Sequence, residues 1–176
     1  MKRFFAVIES PVTRTFLLGL VVLSFQTTIF NTLRPFGAVL QVMLLFACVS
    51  GVVGGSETGA IAGFMFGFMY DLVLTAPLGL SALVFGFAGY MAGGVNSFVH
   101  EPRWWTKMTT VAVSTTAAVV LYPAASLVVG VDGLLGSRVF TLAITCGIFN
   151  GICALPAARI AKWALVKPVR QAIWAE

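Results

Sequence analysis

Residues 59–94, GAIAGFMFGFMYDLVLTAPLGLSALVFGFAGYMAGG, carry Asp71 as their one charged side chain and are interrupted by one turn signal, Thr75-Ala76-Pro77. In the first arm Gly59, Gly63, Gly67 and Asp71 recur every fourth residue, which on a helix places them along one slowly drifting stripe. In the second arm Gly79, Ala82, Gly86, Gly89 and Gly93 alternate steps of three and four, a heptad-like seam of small residues. Helices that present grooves instead of ridges can approach backbone to backbone, so the stretch predicts a close helical hairpin.

Such a hairpin cannot be the core of a water-soluble domain here. The chain has 176 residues, 59% of them hydrophobic and only 10% charged. A soluble domain carries about a quarter charged residues, so this chain cannot cover a water-facing surface. The expectation is an all-α, polytopic membrane protein of one domain with about six transmembrane helices. Apolar runs place the spans at 15–30, 36–53, 58–74, 78–95, 108–130 and 139–158, followed by a basic interfacial tail at 159–176. The third span barely reaches across the hydrocarbon at 1.5 Å rise per residue. The basic start followed by an apolar run resembles a signal peptide, but no small-x-small cleavage site follows it, so the first run reads as an uncleaved span.

The formal charge of +5 would suggest nucleic acid in a soluble protein. Its distribution indicates a membrane instead. With both termini inside, Lys2, Arg3, Arg14, Arg103, Lys107, Arg159, Lys162, Lys167 and Arg170 are cytoplasmic, nine of the eleven cationic residues, and Arg34 and Arg138 are outside. Trp104 and Trp105, and Trp163 and Trp174 in the tail, stand beside basic residues as membrane interfaces favour. The tail suits a surface of anionic lipid. No nucleic-acid role is expected.

Asp71 is the chemically conspicuous residue. A carboxylate at mid-membrane costs about 2.5–3.5 kcal/mol on insertion scales, and less toward an interface, so something should compensate it. Three arrangements are open: an ion pair with Arg34 or Arg138, hydrogen bonds to the turn before Pro77, or a headgroup position satisfied by water. The glycine stripes can likewise pack the hairpin on itself or receive a neighbouring helix. Gln26, late in the first span, reads as an interfacial or helix-to-helix hydrogen bonder.

Catalytic constellations are missing. His100 is the single histidine, and no HExxH, GxSxG or phosphate-binding loop ending in Lys-Ser/Thr occurs. Cys48, Cys146 and Cys153 lie in apolar runs without a CxxC pair and read as packing residues. Neither an enzyme nor a metal or other cofactor is expected.

The run Gly63-Phe64-x-x-Gly67-x-x-x-Asp71, then Pro77-Leu78-Gly79-Leu80-x-Ala82-Leu83, then Gly89-Tyr90-x-x-Gly93, resembles the central signature of the bacterial rod shape-determining membrane protein MreD family. Weaker agreement extends outward through Gln26, Arg34-Pro35, Asn150-Gly151 with Pro156, and the basic tail. Departures are Ser81 and a second span rich in Gly and Ser near its end. The resemblance implies a non-enzymatic scaffold of the cell-elongation machinery in the plasma membrane, working with a bitopic MreC-like protein and other elongation-complex membrane proteins to couple cytoplasmic actin-like filaments to periplasmic peptidoglycan synthesis. It marks Gly63, Gly67, Asp71, Pro77, Gly79 and Tyr90 as positions for hairpin shape and partner docking. The rival reading is the substrate-binding membrane subunit of an energy-coupling-factor-type vitamin transporter, with a pocket drawn from Gln26, Asn31, Tyr70, Asp71 and Tyr122.

Overall fold

The computed structural model describes residues 10–30, 40–74, 77–98, 103–130 and 138–165, and they form six helices with no strand. Helix α1, Pro11–Phe25, continues into a single π-helical turn, Gln26–Phe30. It begins four residues earlier than the apolar run suggests, because Ser10 caps it through a hydrogen bond from Thr13 N–H to Ser10 Oγ and Pro11 opens the first turn, where its missing donor is not needed. Thr15, Gly19 and Val22 form a narrow buried seam, continued by Gln26, while Phe16, Leu17, Leu20, Val21 and Phe25 face outward.

Helix α2, Val42–Gly54, is the centre of the bundle: every residue from Met43 to Val52 is buried. A helix apolar on all sides is stable only when other helices surround it, and α2 packs against α3, α4, α5 and α6. Helix α3, Ser56–Asp71, and helix α4, Leu80–Phe98, form the most extensive helix pair. The next is α5, Trp104–Val128, with α6, Arg138–Leu165. Helix α6 runs past the expected end at 158, so Lys162 and Trp163 belong to a helix rather than to a separate tail. There the Arg14 guanidinium lies 5.7 Å from the centroid of the Trp163 ring, a cation–π contact joining the starts of α1 and the end of α6.

Three helices, α1, α5 and α6, are long and apolar enough to cross a membrane, and α2 and α4 supply shorter apolar segments. At 1.5 Å per residue the 13 residues of α2 rise about 20 Å and the 16 of α3 about 24 Å, against a hydrocarbon thickness of about 30 Å. Short helices surrounded by longer ones place polar helix ends within the bundle. Their unpaired backbone groups must then be met by side chains.

Candidate functional site

The α3–α4 hairpin is built on glycine. A Cβ on Gly67 would sit 2.6 Å from Ala82 Cα, one on Gly63 2.8 Å from the Phe85 carbonyl carbon, and one on Gly59 2.5 Å from Gly51 Cα. A Cβ on Gly89 would overlap the Gly59 carbonyl oxygen. These are backbone atoms that no rotamer change can move away, so α3 and α4 meet with no room for a side chain between them. Gly51 of α2 joins the same contact, since its Cβ would meet the Gly89 oxygen and, at 2.9 Å, Gly93 N. Three helices thus converge at Gly51, Gly59 and Gly89. The helical spacing places Gly79 in the small-residue seam of the second arm together with Ala82, Gly86, Gly89 and Gly93. Gly79 takes no part in this packing: a Cβ there would meet nothing within 4 Å, and the residue is a turn with φ of 97°, a region glycine enters without steric cost.

That turn exists to bring Asp71 onto the next helix. Asp71 ends α3, is 1% exposed, and accepts three backbone N–H bonds: from Gly79 to Oδ2 at 2.9 Å, from Ala82 to Oδ2 at 3.2 Å, and from Ser81 to Oδ1 at 3.2 Å. These are the orphan donors of the α4 N-terminus, where the helix dipole also favours negative charge. The carboxylate is therefore an N-cap supplied from the preceding helix. Pro77 precedes this cap and its carbonyl accepts from Leu80 N–H at 3.3 Å.

The expectation of a water-satisfied carboxylate is corrected by this burial; among the described residues the Asp71 bonds run to the helix start after Pro77, and the turn before Pro77, Thr75-Ala76, lies outside them. The physical reason is that a helix N-terminus offers several convergent donors and an ordinary turn does not. Arg34 lies outside the described residues, as does the side chain of Arg138, so the ion-pair arrangement lies there too. Gly63, Gly67, Asp71 and Gly79 are brought together in one unit. Tyr90, 51% exposed, stands about three turns along α4 on its outer face, apart from that unit.

A second polar set braces α2. Gln26 is 2% exposed, and its Oε1 accepts the Met43 N–H at 2.9 Å. Asn150, fully buried in α6, donates from Nδ2 to the Gln41 carbonyl at 3.3 Å and to Thr115 Oγ1 at 3.3 Å. Sequence reading treated Asn150 only as part of the family resemblance and did not notice Gly51 as a packing position. A buried amide in a long apolar run was the available signal for the first; Ser50-Gly51 within the second run was the signal for the other.

Among the described residues no group of three or more His, Cys, Asp or Glu could hold a metal ion. One groove is lined by Ala112, Thr116 and their neighbours on α5 and α6, and another by Pro11, Thr58, Leu165 and others.

No curated protein and no solved structure matches the chain. A family model described as rod shape-determining protein MreD matches residues 9–156. That region takes in all of α1 to α5 and most of α6, with the glycine-packed hairpin and its Asp71 cap at the centre. The chain is a membrane protein of the rod shape-determining MreD family, with the role in cell shape that this membership implies.

Proposed function

We propose that this chain is a non-enzymatic, multi-pass scaffold of the bacterial inner membrane. It docks a bitopic MreC-like protein and other membrane components of the cell-elongation complex, and so helps couple cytoplasmic actin-like filaments to periplasmic peptidoglycan synthesis. The observation that carries this reading is the use of the one embedded carboxylate. Asp71 spends both oxygens on the start of α4, and the signature glycines spend their grooves on the facing backbone. Residues committed to holding a shape support a scaffold rather than a reaction.

Docking then falls to the outer faces of the hairpin, where Phe64, Phe68, Phe87 and Tyr90 are exposed. Both termini lie in the cytoplasm by the distribution of basic residues, with the Asp71-to-Gly79 turn toward the periplasm. Arg14 and Lys162 then fall at the cytoplasmic face, where anionic lipid headgroups attract them.

Gentle solubilisation of membranes, capture of the full chain and mass spectrometry test the scaffold. The expected result is recovery of a bitopic partner together with rounding of rod-shaped cells on depletion. Recovery of an ATP-driven coupling subunit, or a thermal shift with a vitamin, would instead support the transporter reading, which family membership does not favour. Orientation is checked separately by labelling single cysteines at either end with a membrane-impermeant reagent.

A further inference from the structure

The two side chains that brace α2 are each left half-satisfied. Gln26 Nε2 and Asn150 Oδ1 are buried and have no hydrogen-bond partner within 3.5 Å among the described residues. Their identities follow from the bonds the other ends make. The Met43 N–H can only donate, so Gln26 must turn its oxygen to it; the Gln41 carbonyl can only accept, so Asn150 must turn its nitrogen to that. Flipping either amide would set donor against donor or acceptor against acceptor. What remains is one free donor and one free acceptor, both held against the first turn of α2.

That turn has no cap of its own, since Gln41 at the N-cap position makes no side-chain capping bond. The Tyr70 hydroxyl interacts with the Gln26 side chain but can take only one of the two Nε2 hydrogens, so a donor stays free. Fully buried amides with one end unpaired are uncommon in folded proteins unless water completes them. The donor and acceptor together also select the occupant. An anion would be repelled by Asn150 Oδ1 and a cation by Gln26 Nε2, whereas a molecule that both accepts and donates suits both.

We propose that ordered water, one molecule or a short chain, occupies the N-terminus of α2, accepting from Gln26 Nε2 and donating to Asn150 Oδ1. The site joins α1, α2 and α6 through solvent inside the bundle. Gln26 makes one bond to the Met43 N–H and one to water, and Asn150 makes two to protein, at Gln41 and Thr115, and one to water, so the start of α2 is held by a polar bridge where apolar packing alone would leave its end groups unmet.

The test uses the unaltered full chain, isotope-labelled and reconstituted in nanodiscs with deuterated lipid. Magnetisation is transferred from water to the side-chain amide protons of Gln26 and Asn150, assigned through their backbone resonances and read in the rotating frame to separate proximity from chemical exchange. Proximity cross-peaks at both side chains are expected, with none at the Cys48 backbone amide one and a half turns further into α2. Their absence from both, or their presence at one side chain alone, overturns the bridging site. A Gln26→Met variant adds a second reading in any preparation that keeps the native spectrum. The Asn150 cross-peak should weaken severalfold there, and an unchanged intensity also counts against the bridge.

Discussion

Two helical hairpins in this molecule use small residues, and they use them differently. Across α3–α4 the glycines face backbone: Gly67 faces Ser81 and Ala82, Gly63 faces Phe85, and Gly59 faces Gly89. Across α5–α6 the nearest atoms belong to side chains, and the facing carbonyl oxygens of Ala112 and Met108 stand farther off, at 3.1 and 3.3 Å. A Cβ on Gly151 would sit 3.0 Å from Ala112 Cβ, and one on Gly147 would meet the Thr116 hydroxyl. That hydroxyl donates to the Ala112 carbonyl within α5 at 2.9 Å and crosses to the Ala143 carbonyl of α6 at 3.3 Å. One pair is therefore locked by main-chain proximity and a carboxylate cap. The other is held by adaptable side chains beside an apolar groove of about 640 Å³. Where backbone meets backbone, a substitution must move a helix; where side chains intervene, one rotamer can yield.

The largest effect should come from forcing the locked pair apart. Gly67→Leu is expected to destabilise by about 3 kcal/mol or more, at or beyond the upper end for overpacked cores, seen as loss of folded protein in a thermal melt in detergent. If Gly67→Leu melts like the parent, α3 and α4 are not in contact in the membrane. Next comes the cap. Asp71→Ala leaves three N–H groups of a buried helix start without their acceptor and should cost about 2–3 kcal/mol.

Asp71→Asn keeps one acceptor oxygen and should retain part of that stability, which a side-by-side melt would resolve. Equal losses in the two variants would mean that negative charge matters more than the hydrogen bonds. Gly79→Ala tests conformation without packing. Open space surrounds the site, so only the left-handed backbone is penalised, by about 1–2 kcal/mol. Smallest of all, Gly151→Ala on the looser pair should change stability by less than about 1 kcal/mol, because its nearest contacts, Ala112 Cβ at 3.0 Å and the Met108 carbonyl oxygen at 3.3 Å, are relieved by a shift of a few tenths of an ångström between α5 and α6. A loss as large as that of Gly67→Leu would erase the difference between the hairpins.

Much of the architecture was legible in the chain itself. Apolar runs broken by basic or turn-forming residues located six helices, and the four-residue glycine period identified α3 as a close-packing element. Pro77 marked the turn, and Gln26 read as a helix-to-helix hydrogen bonder is what α1 uses to hold α2. The role of Gly79 was not legible, because a glycine at helical spacing looks the same whether it supplies a groove or a positive φ. Nor was the start of α1, where the Ser10-Pro11 capping signal lay among the cationic residues of a segment read as wholly cytoplasmic.

By itself, then, the sequence determined that this chain belongs in a membrane, that it is helical, and that one hairpin would pack unusually closely around a single carboxylate. Composition and periodicity are local or summed quantities, and they carry that information directly. Only the tertiary structure decided the register of α3 on α4, the convergence of α2 with them at Gly51, and the partner of Asp71. Those depend on where a turn releases the chain and on which orphan backbone groups lie within about 3 Å of a side chain, distances that spacing along the chain does not fix. The carboxylate shows the difference. Sequence required that its charge be compensated, and the fold supplied the N-terminus of the very helix it precedes.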